Sequence, residues 1–465
     1  MTRLSPKRTA QLAGGAVLAA VVVVAAVGAT LIDLPGHLQE PIRIAAQPPA
    51  APSVAVCSGP LIAAGRDATQ ASLLTDDTAQ RITAAAGGDV DPVQSLLVPA
   101  DVAGGTGPAL LTAPPSGVDP TDLAAAGAAR AAASDLSGFA AEACTRPMME
   151  SWLVGGSAAT GAGDVVILAN PGEVAALVTL AVYGASGEQA PAAGKDIVVP
   201  AGTQRIIPLA SLARGEEGPV VRVTSAQAPV RASLQTTITR VLNPGGVDQI
   251  AALGAPSTDL VIPGVAVAVA ASDPGASNTP TILHLLAPGA AGEATVTVAG
   301  PDGAVVSSQT LPLSAGVPLT FDLGGLAVGT YSVSVSATTP VTGGVWSTTG
   351  FGAGSDFGWF TPAEILRAPT LVAVAEGPSA QLSLVGGAAP QTVTVESLSG
   401  GAAREVTLAA GAVARLPVEG GGAYRIVPGE AGVSASVVFA GAGALAGYPV
   451  PAGDAAAAAI EVYPR

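Results

Sequence analysis

The stretch ILHLLAPGAAGEATVTVAGPDG, residues 282–303, decides the fold class. Within it, ATVTVAG alternates small or polar residues with apolar residues at period two, which is the pattern of a half-buried β-strand. The PDG that follows is a turn sequence in which glycine is free to take a positive φ. The stretch therefore predicts short strands joined by turns.

The same pattern occurs three times along the chain. VILANPGEVAALVTLAVYGASG (166–187) precedes the stretch above, and LSLVGGAAPQTVTVESLSG (382–400) follows it. Six or seven short strands in about 100 residues are typical of an immunoglobulin-like sandwich. The sequence thus predicts an all-β fold of tandem immunoglobulin-like β-sandwich units. The alternative is a β-propeller, in which each unit supplies two blades of about 40–50 residues.

The predicted organisation has seven parts. We expect a cytoplasmic basic segment at 1–9, a transmembrane helix at 10–32, a proline-rich spacer at 33–53, a degenerate N-terminal β unit at 54–150, and β-sandwich units at 151–265, 266–366 and 367–465. Within the N-terminal unit, AARAAASDLSGFAAEACT (128–145) predicts the last strand pair. DDTAQRITAAA (76–86) and DPTDLAAAGAA (119–129) fit the repeat poorly and predict a short helix or loop.

The run AQLAGGAVLAAVVVVAAVGATLI (10–32) is apolar and follows the basic residues Arg3, Lys7 and Arg8. A helix of this length reaches about 34 Å, enough for a hydrocarbon core of about 30 Å. Basic flanks stay in the cytoplasm. The sequence therefore predicts a single-pass protein of the cell membrane, with a cytoplasmic N-terminus and the bulk of the chain extracytoplasmic. The alternative is a cleaved signal peptide, for which Val27 and Ala29 suit the cleavage site.

The chain contains two cysteines, Cys57 and Cys144. An even number in an exported chain predicts a disulfide between them. Two unrelated buried thiols are the alternative.

Charge and residue usage narrow the classes of function. The net charge is −15, which argues against a nucleic-acid partner, since such a partner requires a basic surface. His37 lies in the spacer, and His284 stands between leucines in a strand. No nucleophile elbow, phosphate loop or calcium loop is present in the sequence. We therefore expect no enzymatic activity, no cofactor and no metal.

Trp152 and Trp359 lie in segments that bound the repeated units. Two interpretations stay open: the rings pack between consecutive units, or an exposed ring stacks on a sugar.

The order CSGPL (57–61), CTRP (144–147), ESWLVGG (150–156) and ANPG (169–172) resembles a family of uncharacterised actinobacterial secreted, membrane-anchored proteins that contain a domain of unknown function. The residues that carry the resemblance are Cys57, Pro60, Cys144, Trp152, Gly155, Gly156, Asn170 and Pro171. The resemblance supports the location and the architecture, and it implies no activity.

These observations predict a non-enzymatic, membrane-anchored extracytoplasmic protein. Its β modules would serve as a cell-envelope scaffold or as a docking surface for an envelope protein or for cell-wall glycan. One alternative is a module that binds cell-wall polysaccharide through Trp152 or Trp359. The other is an extracytoplasmic hydrolase, which would depend on His284.

Overall fold

A computed structural model describes residues 6–31, 44–46, 50–66, 69–70, 72–88, 90–117, 119–270, 279–300, 302–453 and 460–462. In these ranges the chain is mostly β-structure, with thirty-six strands in many sheets and one N-terminal α-helix. Arg3, His37 and most of the predicted spacer 33–53 lie outside the described residues.

Helix α1, Pro6–Leu31, covers most of the apolar run that predicted a helix. Among the residues described, no helix combines the length and the apolar character that crossing a membrane requires. The transmembrane assignment at 10–32 therefore stays a prediction. A short strand, β1 (Ile44–Ala46), follows the helix along the chain. By backbone contacts these elements belong to one body, residues 1–48 with 457–465, and residues 49–456 form a second body.

The N-terminal unit of the second body contains nine strands. They are β2 (Ser53–Val56), β3 (Ile62–Ala64), β4 (Leu74–Asp76), β5 (Arg81–Ala86), β6 (Val93–Leu96), β7 (Val98–Pro99), β8 (Ala109–Ala113), β9 (Leu123–Ala132) and β10 (Ser137–Ala143). One sheet has the order β2-β8-β6, a second has β10-β9-β5, and β3 pairs with β4. The predicted last strand pair is confirmed as the β9–β10 hairpin.

The alanine-rich stretches of this unit are strands, so the prediction of a short helix or loop was wrong. RITAAA forms β5 and pairs antiparallel with β9 along its whole length, from Arg81↔Ala128 to Ala86↔Leu123. Alanine favours helices as an isolated residue, but such a preference is weak and tertiary context overrides it. Here β9 receives hydrogen-bonded neighbours on both sides, and small side chains let other sheets pack closely on its faces.

We call the three repeated units, in chain order, repeat 1, repeat 2 and repeat 3. Repeat 1 also contains nine strands. They are β11 (Glu150–Val154), β12 (Val165–Asn170), β13 (Ala176–Gly184), β14 (Gly187–Gln189), β15 (Ile197–Val199), β16 (Thr203–Pro208), β17 (Val220–Ala226), β18 (Arg231–Arg240) and β19 (Asn243–Ala251). Two sheets result: β11-β17-β13-β14, with β15 on β13, and β19-β18-β12-β16, with β7 added parallel to β16. Two 3-10 turns, Ala192–Gly194 and Leu209–Ser211, connect strands in this repeat.

Repeat 2 contains seven strands. They are β20 (Ser257–Val267), β21 (Thr281–Leu286), β22 (Gly292–Ala299), β23 (Val305–Leu313), β24 (Leu319–Asp322), β25 (Gly329–Thr348) and β26 (Phe357–Phe360). The 20-residue strand β25 serves two sheets. Most of its pairs with β20, and all of its pairs with β22, lie in its first half, while its second half pairs with β21 and β26.

Repeat 3 contains nine strands, and one further strand follows it. They are β27 (Ile365–Leu366), β28 (Thr370–Ala373), β29 (Gln381–Gly386), β30 (Gln391–Ser397), β31 (Arg404–Leu408), β32 (Val413–Pro417), β33 (Ala423–Val427), β34 (Val433–Gly441), β35 (Ala444–Pro449) and finally β36 (Ile460–Val462). The sheets are β27-β34-β29-β32, with β35 on β34, and β28-β33-β30-β31. Strand β36 pairs antiparallel with β1 in the first body.

One strand order recurs in the three repeats. In one sheet, β12 lies between β16 and β18, β21 lies between β24 and β25, and β29 lies between β32 and β34. In the opposite sheet, β17, the first half of β25, and β33 take the middle position. The pairing also assigns the segment 259–265 to repeat 2, because β20 pairs with β25. The domain boundaries given above otherwise stay predictions.

Each repeat encloses an apolar core, and each core includes side chains from another unit. The core of repeat 1 contains Trp346 and Phe357 of repeat 2, and that of repeat 2 contains Leu445 of repeat 3. Phe139 and Ala143 of the N-terminal unit complete the core of repeat 3. Burial of apolar surface therefore joins the four units.

Candidate functional site

The last strand of each unit lies at the centre of the second body. These central strands are β10, β19, β26 and β35, and each is the second strand of a hairpin. Strand β10 contacts β19 and β35, and β26 contacts the same two strands, so the four close a ring. The chain thus brings four segments that are far apart in sequence to one place.

The carboxylate of Asp356 lies between these strands and is fully buried. One oxygen, Oδ2, accepts hydrogen bonds from the backbone N–H of Phe139 (2.9 Å) and of Leu445 (3.1 Å). The other, Oδ1, accepts one from the N–H of Val247 (3.3 Å). These donors belong to β10, β35 and β19, so a single side chain of repeat 2 bonds to all three other units. Burial raises the pKa of Asp356 to about 7.

Two glycines make room for this carboxylate. A Cβ on Gly138 would lie 2.5 Å from Asp356 Oδ1, and one on Gly246 would lie 2.7 Å from the same atom. Both glycines also have positive φ, 146° and 125°, which L side chains rarely adopt. The hairpins that lead into β10 and β19 therefore require glycine at these two positions.

A second buried polar group is an ion pair between the N-terminal unit and repeat 1. Arg231 and Glu142 are both 1% exposed, and their closest nitrogen and oxygen are 2.5 Å apart. Ser58 connects them, because its hydroxyl donates to Glu142 Oε2 and accepts from the Arg231 guanidinium. Charges this deeply buried persist only when they are paired and fully hydrogen-bonded. The pair ties the N-terminal unit to repeat 1.

The side-chain amides of Gln80 and Gln249 extend this network. Gln80 Nε2 donates to Glu142 Oε1 (3.0 Å) and to Gln249 Oε1 (2.7 Å), and Gln249 Nε2 donates to the carbonyl of Gly59 (3.1 Å). Asp248 accepts from the backbone N–H of Trp359 (2.7 Å) and of Gln249 (2.9 Å). Burial raises the pKa of Asp248 well above its usual range, and the charge of Asp356 adds to that effect.

The predicted disulfide between Cys57 and Cys144 is present, with the sulfurs 1.98 Å apart. Cys57 follows β2 and Cys144 follows β10, and the neighbouring residues Val56 and Thr145 form a β-bridge. The crosslink thus closes the first strand of the N-terminal unit onto its last, and Cys57 is the residue before Ser58.

Trp152 and Trp359 are 3% and 4% exposed, so neither ring presents a face to a sugar. The ring centroid of Trp152 lies 5.5 Å from that of Tyr183, and its cluster includes Leu286 of repeat 2. Trp359 belongs to the core of repeat 1 and lies against Gly155, where an added Cβ would come within 3.0 Å of the indole. Both rings therefore occupy the contact between repeats 1 and 2.

His284 is also buried and stands next to Trp359, with ring centroids 5.0 Å apart. Burial lowers its pKa to about 4, so the imidazole is neutral at pH 7. Its Nδ1 has no hydrogen-bond partner among the described residues. No hydrogen bond between described residues joins His284 to a serine or an acid, as the arrangement for nucleophilic catalysis would require. In the part of the chain that is described, no group of three His, Cys, Asp or Glu residues is placed to hold a metal ion.

A cleft of about 550 Å³ opens where the central strands end. The cleft is lined by the segments that follow the four central strands. They are residues 143–145, 249–255, 361–365 and 447–453. Apolar residues, chiefly alanine, valine and leucine, form most of its walls, and its charged residues in the described part of the chain are Asp122, Arg146, Asp259 and Glu364. Its volume and apolar lining with a few polar groups are typical of binding sites. We call it the central cleft.

The sequence predicted the disulfide and singled out Trp152 and Trp359, but it did not reveal the buried polar residues Asp356, Glu142 and Arg231. Glu142 and Arg231 each stand alone as a charge in an apolar strand, in FAAEA and VRASL. Such an isolated charge is the signal that could have marked them, because a buried charge needs a partner. The central cleft has no comparable signal, since its wall residues come from all four units.

The sequence profile of a family of unknown function, DUF5719, matches residues 98–419. No curated protein matches the sequence. Among solved structures, a chain described as "Biofilm associated protein - BSP domain" is similar with 13% identity and a TM-score of 0.14. That match covers 71% of this chain and 64% of the other chain, so this chain spans less than two thirds of its length.

Proposed function

The chain belongs to the DUF5719 family, whose function is unknown, and we propose a function for it from the geometry of the structure. We propose that this is a non-enzymatic extracytoplasmic docking protein of the cell envelope. In this proposal the central cleft receives a segment of another envelope component. The observation that carries it is the convergence of four units on one largely apolar cleft.

The location rests on two features. The disulfide indicates an oxidising, extracytoplasmic compartment. The apolar run at 10–32 with its basic flank is the basis for a single membrane-spanning anchor with the N-terminus inside. A protein held in this way would keep the central cleft available to partners outside the membrane.

We also propose that the three repeats are immunoglobulin-like sandwiches. The recurring strand order supports this, because β12 lies between β16 and β18, which are not its neighbours in sequence. Two sheets with crossing connections of this kind are characteristic of sandwiches. A propeller blade is instead a single sheet of four strands.

Docking is favoured over sugar stacking through the tryptophans. Trp152 and Trp359, which the alternative interpretation assigned to a glycan, are buried at the contact between repeats 1 and 2. A glycan could still enter the central cleft, so the test below separates a protein partner from wall glycan.

A photo-reactive amino acid at Ile365, an exposed residue of the central cleft, tests the proposal in intact cells. Val305, exposed on β23 and outside the cleft, is the matched control position. We expect irradiation to give one discrete adduct from position 365 and none from position 305. Mass spectrometry then assigns the adduct to an envelope protein or to wall glycan.

A cleft-filling substitution completes this test. Ala251→Trp on the cleft wall should abolish the adduct, while circular dichroism and expression level stay unchanged. Identical adducts from both positions, or an adduct that survives Ala251→Trp, would contradict docking in the cleft.

A further inference from the structure

One strand edge in the central cleft has unpaired backbone groups. Among the described strands, β28 is the outermost strand of its sheet and pairs only with β33. Val374 N donates to Gly422 O, so Val374, Val372 and Thr370 face β33. Because successive residues of a strand point to opposite edges, Leu371 and Ala373 direct their backbone groups away from β33.

Tyr448 occupies one end of this free edge. Its hydroxyl accepts a hydrogen bond from Ala375 N and donates one to Ala373 O, both at 2.9 Å. The N–H and C=O of Leu371 and the N–H of Ala373 have no hydrogen-bond partner among the described residues. Both residues line the cleft and are buried to 4% exposure. Backbone groups in such a position are nearly always paired in proteins.

An added strand is the ligand that these groups fit. Leu371 offers a donor and an acceptor side by side, and Ala373 offers a donor one strand period further along. This is the pattern with which an edge strand pairs with an extended peptide. The alanines of the wall, including Ala124, Ala125 and Ala252, let a backbone approach closely.

The charged residues of the cleft favour a basic ligand. Two exposed acids, Asp259 and Glu364, line the cleft, and its described charged residues are three acids and one arginine. Asp259 and Glu364 are exposed, and neither forms an ion pair with a described residue. The whole chain carries −15, so the long-range field also attracts cations.

We infer that the central cleft binds an extended polypeptide segment, apolar in its middle and basic at its ends, as an additional strand on the free edge of β28. This inference rests on the proposed docking function and specifies its partner. Main-chain hydrogen bonds to Leu371 and Ala373 would hold the segment, and the acidic rim would select its charge.

Synthetic peptides with a fluorescent label test this on the full chain purified in detergent. The first probe has an alternating Ala-Val middle and lysines at both ends. The second replaces the lysines by glutamates, and the third keeps the lysines but carries N-methyl groups on alternate backbone nitrogens. We expect saturable anisotropy for the first probe and at least tenfold weaker binding for the other two.

Two substitutions in the protein test the same interaction. Ala373→Pro removes one edge N–H, and proline is tolerated on edge strands, so we expect at least tenfold weaker binding of the lysine probe. The control Val305→Ala, at an exposed residue of β23 outside the cleft, should bind within about twofold of the parent. If Ala373→Pro fails to fold, the N-methylated probe still tests the same hydrogen bonds.

The outcomes separate this inference from the docking proposal. Equal affinity for the methylated and unmethylated lysine probes would overturn strand addition, and so would the absence of binding by any probe. A partner adduct at position 365 would then still support docking by another mode. Loss of the adduct together with loss of peptide binding would overturn both.

Discussion

At the scale of single residues, one carboxylate decides how the units meet. Asp356 accepts backbone hydrogen bonds from β10, β19 and β35, and Gly138 and Gly246 let these strands approach it. Hydrogen bonds to a buried group contribute little when made, but leaving the group unsatisfied is costly. Replacement of Asp356 should therefore lower the stability of all four units.

Asp356→Asn should lower the free energy of unfolding by roughly 1–3 kcal/mol. An amide has one acceptor oxygen, so its NH₂ group would face at least one backbone N–H that the carboxylate now accepts. Chemical denaturation monitored by circular dichroism measures the loss. Asp302→Asn is the control, because Asp302 is exposed and its Oδ1 accepts from Ala304 N in an ordinary turn. A difference below about 0.5 kcal/mol between these variants would contradict the role given to Asp356.

The buried aspartates also predict a pH dependence. Burial raises the pKa of Asp164 and of Asp356 to about 7, from 3.8. The folded state then binds more protons than the unfolded state between these values, so these groups make stability fall as pH rises from about 4 to 7. The pKa of His284 is lowered from 6.5 to about 4, so this residue makes stability rise as pH increases from about 4 to 6.5.

The contribution of Asp356 appears in a comparison with its asparagine variant. The slope of the free energy of unfolding between pH 5 and 7 should be less negative in Asp356→Asn, by up to about 1.4 kcal/mol per pH unit. Unfolding curves at several pH values measure it. Parallel curves for the two proteins would show that Asp356 does not titrate in this range.

The ion pair of Glu142 and Arg231 provides a further residue-scale prediction. Arg231→Met leaves a carboxylate buried without its partner and should cost about 3–5 kcal/mol. The same change at Arg222, whose bridge to Glu150 is partly exposed, should cost at most about 1 kcal/mol. Urea denaturation compares the variants, and equal losses at the two sites would contradict the importance of burial.

At the scale of elements, the disulfide closes a loop of 87 residues around the N-terminal unit. The chain-entropy model gives roughly 4–5 kcal/mol for a loop of this length, as an upper figure. We expect the double variant Cys57→Ala/Cys144→Ala to lose several kcal/mol and to become insensitive to reducing agents. Thermal unfolding with and without dithiothreitol measures both effects. Unchanged stability of the parent after full reduction would contradict this expectation.

The elements also show what sequence patterns can predict. Period-two alternation and turn residues predicted strands such as ATVTVAG, which forms most of β22. Alternation fails for RITAAA, because alanine is neither clearly apolar nor clearly polar, and only pairing with β9 makes it a strand. The edge of β28 was equally hidden, since no local pattern shows which strand of a sheet lies outermost.

At the scale of the whole molecule, the repeats do not merely follow one another. A linear row of modules would give each one its own core, but here Trp346, Phe357 and Leu445 complete the cores of other repeats. The closed ring of β10, β19, β26 and β35 has the same consequence. The central cleft exists only while all four units are assembled.

Hydrogen exchange measured by mass spectrometry tests this assembly most directly. We predict that peptides covering β10, β19, β26 and β35 exchange only through one common opening, with the same free energy as global unfolding. Asp356→Asn should lower that free energy equally in all four peptides. Separate opening of repeat 1, 2 or 3, with the other central strands still protected, would contradict a shared centre and with it the central cleft as a binding site.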